Sequence, residues 1–156
     1  MEWRQDSVEQ SVNTPARTHL IKLCVGAETV EDLLAWQGNP RAKGPDGLPR
    51  HVTRMWPRRA DEVLAGGSLY WVFKGLVLCR QRVLRLDTVD GGDGITRCGI
   101  VLAPEVTRVA ATPKRPFQGW RYLRPEDAPR DLPEGRETEE ALPPALQSAL
   151  AEIGVL

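Results

Sequence analysis

Histidine is nearly missing from this chain: His19 and His51 are the only two in 156 residues. That scarcity removes support for hydrolytic chemistry in which a serine or cysteine leans on a nearby imidazole. No Ser/His/Asp order and no pair of catalytic carboxylates stands out, and Gly91–Gly94 lacks the Lys-Ser/Thr and the helix that would make it a phosphate cradle. Cysteine is scarce too. Cys24, Cys79 and Cys98 are odd in number, far apart and flanked by apolar residues, so they read as reduced core thiols of a cytoplasmic protein and not as a disulfide or zinc framework. No apolar run approaches the ~18 residues of a membrane helix. The segment Met1–Pro15 is polar and holds Glu2, Asp6 and Glu9, unlike a secretory signal or an Arg-rich transit peptide. Neither a membrane partner nor a metal or cofactor is expected.

What is present is a charge pattern hidden by a formal net charge of zero. Residues 41–124 carry 16 Lys/Arg against 7 Asp/Glu, whereas residues 1–40 carry 3 against 6 and residues 125–156 carry 2 against 8. The basic stretch also holds seven of the nine aromatic residues: Trp56, Tyr70, Trp71, Phe73, Phe117, Trp120 and Tyr122. Cations interleaved with rings suit an anionic, planar ligand such as a nucleotide or single-stranded nucleic acid.

The length is that of one domain with tails. Residues 1–17 read as a disordered tail, 18–124 as the folded unit, and 125–156 as an acidic Pro-rich linker followed by a helix over Pro143–Ile153. Within the unit, Thr18–Val25 has strand length and Thr29–Gln37 reads as a helix with Thr29 as N-cap, Glu31 and Asp32 in the first turn and Gly38 as stop. His51–Met55 alternates as a strand does. Pro57 suits the first position of a helix reaching Ala65, with Gly66-Gly67 ending it. Leu69–Lys74 is the clearest strand signal. Leu76–Val89 is too long for one flat strand, so Gly75 should mark a bend or bulge. Ile95–Ala103, Glu105–Ala111 and Gly119–Leu123 supply further strands. The order predicts an α+β domain: a curled or barrel-like antiparallel sheet with short helices at its rim and a C-terminal helix.

Two segments concentrate binding chemistry. His51–Arg59 runs into a helix start with Arg54, Arg58 and Arg59 beside Trp56, an arrangement suited to an anion. Pro113–Leu123 sets Lys114, Arg115 and Arg121 beside Phe117, Trp120 and Tyr122, as phosphate pairing plus base stacking requires. The alternative for each is a solvated basic surface with the rings packed inward. A third feature is Arg80 and Arg82, expected on one strand face with Leu76, Leu78, Leu84 and Leu86, where they must pair, stack or line a groove.

HLIKLCVGA (19–27), HVTRMWPRRADEVLAGGSLYWVFKG (51–75) and RPFQGWRYLRPEDAP (115–129) resemble a bacterial family of unknown function, domain-of-unknown-function family 1489. More distantly, the order strand, short helix ending in Gly, strand is similar to the PUA-like barrels and their ASCH branch, which are linked to RNA metabolism. The ASCH charged motif is replaced here by Ser68-Leu-Tyr-Trp-Val-Phe-Lys74, so the resemblance implies groove binding and not hydrolysis. The function expected is binding of RNA or a nucleotide in a basic aromatic groove. Arg54, Arg58, Arg59, Lys114, Arg115 and Arg121 would neutralise phosphates, and Trp56, Phe117, Trp120 and Tyr122 would stack. The alternatives are a small enzyme on modified nucleosides or nucleotides with His51 or Lys74 as acid/base, and a protein-interaction module in which the acidic C-terminal segment covers the basic face.

Overall fold

The computed structural model describes residues 16–133; the tail before residue 16 and the helix expected over Pro143–Ile153 lie outside them. Seven strands form one mixed sheet: β1 (His19–Leu23), β2 (Arg50–Thr53), β3 (Ser68–Phe73), β4 (Leu76–Asp90), β5 (Thr96–Leu102), β6 (Thr107–Pro113) and β7 (Trp120–Leu123). Two helices, α1 (Val30–Gln37) and α2 (Ala60–Leu64), lie in the connection from β1 to β3. β1 and β3 pair in parallel and every other pair is antiparallel. β5 and β6 follow one another along the same edge of β4, β2 lies outside β5, and β7 ends the other side of the sheet beyond β1. Among the described residues no helix is long and apolar enough to cross a membrane.

The architecture is α+β, but the sheet does not close into the barrel expected from the element order. β7 pairs with β1 alone among the strands. Across the gap runs the described part of the segment read as a linker. Asp131 forms a bridge with Val109, Ala110 N–H donates to Arg130 O and Leu132 N–H to Arg108 O. Pro125–Leu132 is therefore a strap that leaves the end of β7 and docks on the edge of β6.

Both faces of the sheet are covered. Leu69, Trp71 and Phe73 of β3 enter a first core with Leu20, Val30, Leu33, Val63, Ile100, Leu102 and Trp120, while Tyr70 and Val72 enter a second with Ile21, Val77, Val109, Phe117 and Leu123. That is why β3 reads as a continuous apolar run and not as an alternation. A buried amide pair ties α1 to β4. Gln37 and Gln81 exchange Nε2–H···Oε1 bonds at 2.7 Å each, Trp71 Nε1–H donates to Gln81 Oε1 at 2.9 Å, and Gln81 Nε2–H also reaches Ala103 O at 3.0 Å. Every polar group in the set has a partner, so the network specifies how α1 sits on the sheet.

Local chemistry follows the sequence at most ends. Thr29 caps α1 in a full capping box with Asp32. Gly75 is not a bend within a strand: Lys74 and Gly75, at φ 45° and 84°, form a two-residue turn between Phe73 and Leu76, the type I′ geometry that matches strand twist. α2 starts at Ala60 and not at Pro57, because Arg59 at its N-cap has non-helical backbone angles. β4 sustains 15 residues by changing partners and by two register shifts, between Val77 and Cys79 and between Val83 and Arg85.

Gly67 has a steric reason: a Cβ there would lie 2.1 Å from Thr18 O and 2.6 Å from Val63 O. Gly67→Ala is expected to cost about 1–3 kcal/mol, the usual range for overpacking, read as a lower urea midpoint. Gln81→Leu should cost about 1–3 kcal/mol by stranding the Trp71 indole N–H and the Gln37 amide; urea unfolding unchanged from wild type would refute the role of the network.

Candidate anion-binding cleft

The shift in β4 determines where its arginines point. Trp71 lies opposite Cys79 and Val72 opposite Val77, which leaves Leu78 as an extra residue. Val77 packs in the second core, Leu78 and Cys79 pack on the first, and the alternation restarts out of phase. Arg80 and Arg82 therefore lie across from Tyr70 and Ser68 on the second-core side. The expected row with Leu76, Leu78, Leu84 and Leu86 is broken: the second shift leaves Leu84 exposed and returns Leu86 to the first core.

These two arginines help line a cavity of about 570 Å³ with Arg17, His19, Ser68, Tyr70, Arg130 and Asp131. The parallel pair β1–β3 supplies its floor, and Pro125, Ala128 and Pro129 of the strap supply one wall. Arg17 reaches it over Gly66, where a Cβ would stand 3.5 Å from Arg17 Cδ. Arg80 is the anchor. Its Nε and Nη2 donate to the two oxygens of Asp131 at 2.8 and 2.7 Å, and Nη1 donates to Ser68 Oγ at 3.0 Å. Of the charged groups lining the cavity, Asp131 is the sole acid. Among the described residues Arg17 and Arg82 make no ion pair.

His19 is held as a neutral donor. Its Nδ1 accepts the Ser68 backbone N–H at 2.9 Å, and its ring meets Tyr70 edge-on at 5.1 Å. Burial, then the charges of Arg17 and Arg80, bring its pKa down to about 4. With Nδ1 accepting, the single proton of the neutral ring sits on Nε2. Such a ring serves an anion as a hydrogen-bond donor; its basic lone pair is already used. Burial raises the Tyr70 pKa, and the hydrogen bonds from Arg80 hold Asp131 below the ordinary carboxylate value.

The two segments singled out in the sequence do meet, though not in one groove. Trp120 Nε1–H donates to Met55 O at 3.0 Å, and the Arg59 backbone N–H donates to Tyr122 Oη at 3.0 Å, with the Arg59 guanidinium 5.1 Å from the Tyr122 ring centre. Side chains alternate along β7, so Trp120 and Tyr122 face the first core while Arg121 and Leu123 face the second. Arg121 and Lys114 stand 5.1 and 6.0 Å from the Phe117 ring centre. The rings of Phe117 and Trp120 are buried, with core packing occupying the faces expected to stack on bases. Arg59 is paired with Glu62. Arg54, Arg58, Arg115 and Arg121 are exposed, and Trp56, 38% exposed, keeps an accessible face. Lys114 and Tyr122 border a second cavity of about 440 Å³ on the other side of the strap.

The proposed acid/base residues lie elsewhere. Lys74 sits in the β3–β4 turn, paired with Glu28 at 3.0 Å. His51 packs edge-on against Trp71 at 5.8 Å in a space of about 40 Å³, and burial brings its pKa to about 4. Neither lines the arginine cleft. The cleft residues that the two-segment reading missed include Arg17, His19, Tyr70 and Asp131. The visible signal was Arg80 and Arg82, which the sequence marked as needing a partner or a groove.

Fold and cleft define a mixed α+β domain with an open sheet and a cationic cavity beside a strap. A family model described as protein of unknown function (DUF1489) matches residues 20–156. The chain belongs to this family. No curated protein and no solved structure matches it.

Burial of both histidines sets a pH dependence. Their pKa values near 4 in the fold, against an ordinary 6.5, mean that the unfolded chain binds more protons between those values. Stability is then fully present above pH 6.5 and falls towards pH 4, by on the order of 1.4 kcal/mol per pH unit for each histidine. Asp131 acts lower: its depressed pKa supplies stability above 3.8 that is lost below it. Urea midpoints should drop from pH 7.5 to pH 5; a midpoint that rises would contradict neutral buried histidines.

Proposed function

We propose that this protein binds RNA or a nucleotide and holds phosphate in the arginine cleft. The observation that supports it is the gathering of Arg17, Arg80, Arg82 and the neutral donor His19 around one cavity with Asp131 as sole acid. Guanidinium forks match phosphate oxygens in geometry as well as charge. Arg54, Arg58, Lys114, Arg115 and Arg121 then serve as outer cations along the ligand, with Trp56 as the accessible stacking ring. In this reading the domain is a distant, opened relative of the PUA-like barrels, a relation favoured by the succession β2, α2, Gly66-Gly67, β3. It works in the bacterial cytoplasm, where Cys24, Cys79 and Cys98, all unpaired, stay reduced.

Fluorescence anisotropy with 3′-labelled RNA and DNA oligomers tests the reading. Binding is expected at low salt, with log K falling by roughly 0.7 per phosphate contacted for each decade of salt. Substituting Arg17 and Arg82 together by Gln should weaken it by about tenfold or more, the loss expected when charge-assisted bonds to an anion are removed. No binding at tens of micromolar protein would sink the proposal.

A further inference from the structure

We infer that the cleft selects a terminal phosphate monoester, the phosphorylated end of an RNA or a nucleoside monophosphate, over an internal phosphodiester. This rests on the phosphate reading of the cleft and specifies the ligand. Charge is the first argument. Arg17, Arg80 and Arg82 bring three positive charges to the cavity and Asp131 one negative, so two remain uncompensated before Arg130 is counted. A monoester carries about −1.5 to −2 at neutral pH, whereas a diester carries a single charge and would leave the site under-neutralised.

Donor supply is the second argument. Arg80 already spends Nε, Nη1 and Nη2 on Asp131 and Ser68. Its role is to fix the floor, and contact with the ligand falls to the forks of Arg17 and Arg82. Each fork presents five N–H groups, and His19 adds one more from a ring that brings no charge of its own. A monoester offers three terminal oxygens to receive them, one more than the two non-bridging oxygens of a diester. Asp131 is the counterweight: its carboxylate, 45% exposed, repels an anion that approaches. Removing that charge should favour binding even though the strap loses an anchor.

The test compares one labelled RNA pentamer carrying a 5′-phosphate, a 3′-phosphate or neither, titrated at low salt against the full chain. One phosphorylated form is expected to bind about tenfold tighter than its unphosphorylated twin, the effect of one good charge-assisted contact set. That preference should shrink below about threefold in Arg82→Gln and in Arg17→Gln, both of which leave the packed core untouched, and Asp131→Asn should tighten the phosphorylated form. Equal affinity of all three oligomers would overturn the monoester inference and leave RNA binding standing. A preference that survives both arginine variants would move the phosphate out of this cleft. Failure of every oligomer to bind would remove both readings.

Discussion

The chemistry of this domain depends on one misalignment in its longest strand. The extra residue at Leu78 reverses the alternation of β4, so that Gln81 enters the first core while Arg80 and Arg82 face the opposite side of the sheet. Without the shift the residues from 79 onward would change faces, with two guanidinium groups driven into an apolar layer and a Gln stranded outside. Burying an unpaired charge is far costlier than the local loss of ladder bonds at a bulge. The bulge therefore reconciles a packed sheet with a cationic cleft on a single strand.

Charge is the second organising theme, and part of it is balanced inside the molecule. Of the 16 cations between residues 41 and 124, seven are ion-paired among the described residues, and four of those seven take acids from the flanks: Glu28, Glu31, Asp127 and Asp131. The basic middle and acidic flanks are thus complementary parts of one fold. Exposed pairs contribute little each, but Arg80–Asp131 also has backbone support, since the strap bonds to β6 on either side of Asp131. Among the described residues Asp131 thereby ties the strap to β4 at a defined place.

Much of the fold was legible because local rules and packing agree. The capping box at Thr29, the run from Ser68 to Phe73 and the glycines before it each have a physical meaning that survives into the structure. Less could be read where distant strands decide the outcome. Trp120 and Phe117 looked suited to stacking because the segment around them is polar, yet each is buried in a core built from strands and helices far away in sequence. The register shift in β4 has no local signature, since Leu76–Asp90 alternates plausibly in either phase. Arg17 was lost to the apparent tail because only tertiary folding lays it over Gly66 beside His19.

The place of β1 has a consequence for how the chain is made. Though first in sequence, β1 is an interior strand, held by β3 on one side and by β7, residues Trp120–Leu123, on the other. It has no hairpin neighbour, so its ladder bonds wait for segments synthesised much later. A nascent chain leaving the ribosome therefore carries Leu20 and Ile21, both buried in the finished fold, without a strand partner until β3 has emerged and without β7 until almost the whole domain has. β7, the last of the seven strands in sequence, then covers the remaining edge of β1. Asp131 and the strap follow β7 in the chain, so the wall of the cleft is the last part of the described domain to arrive.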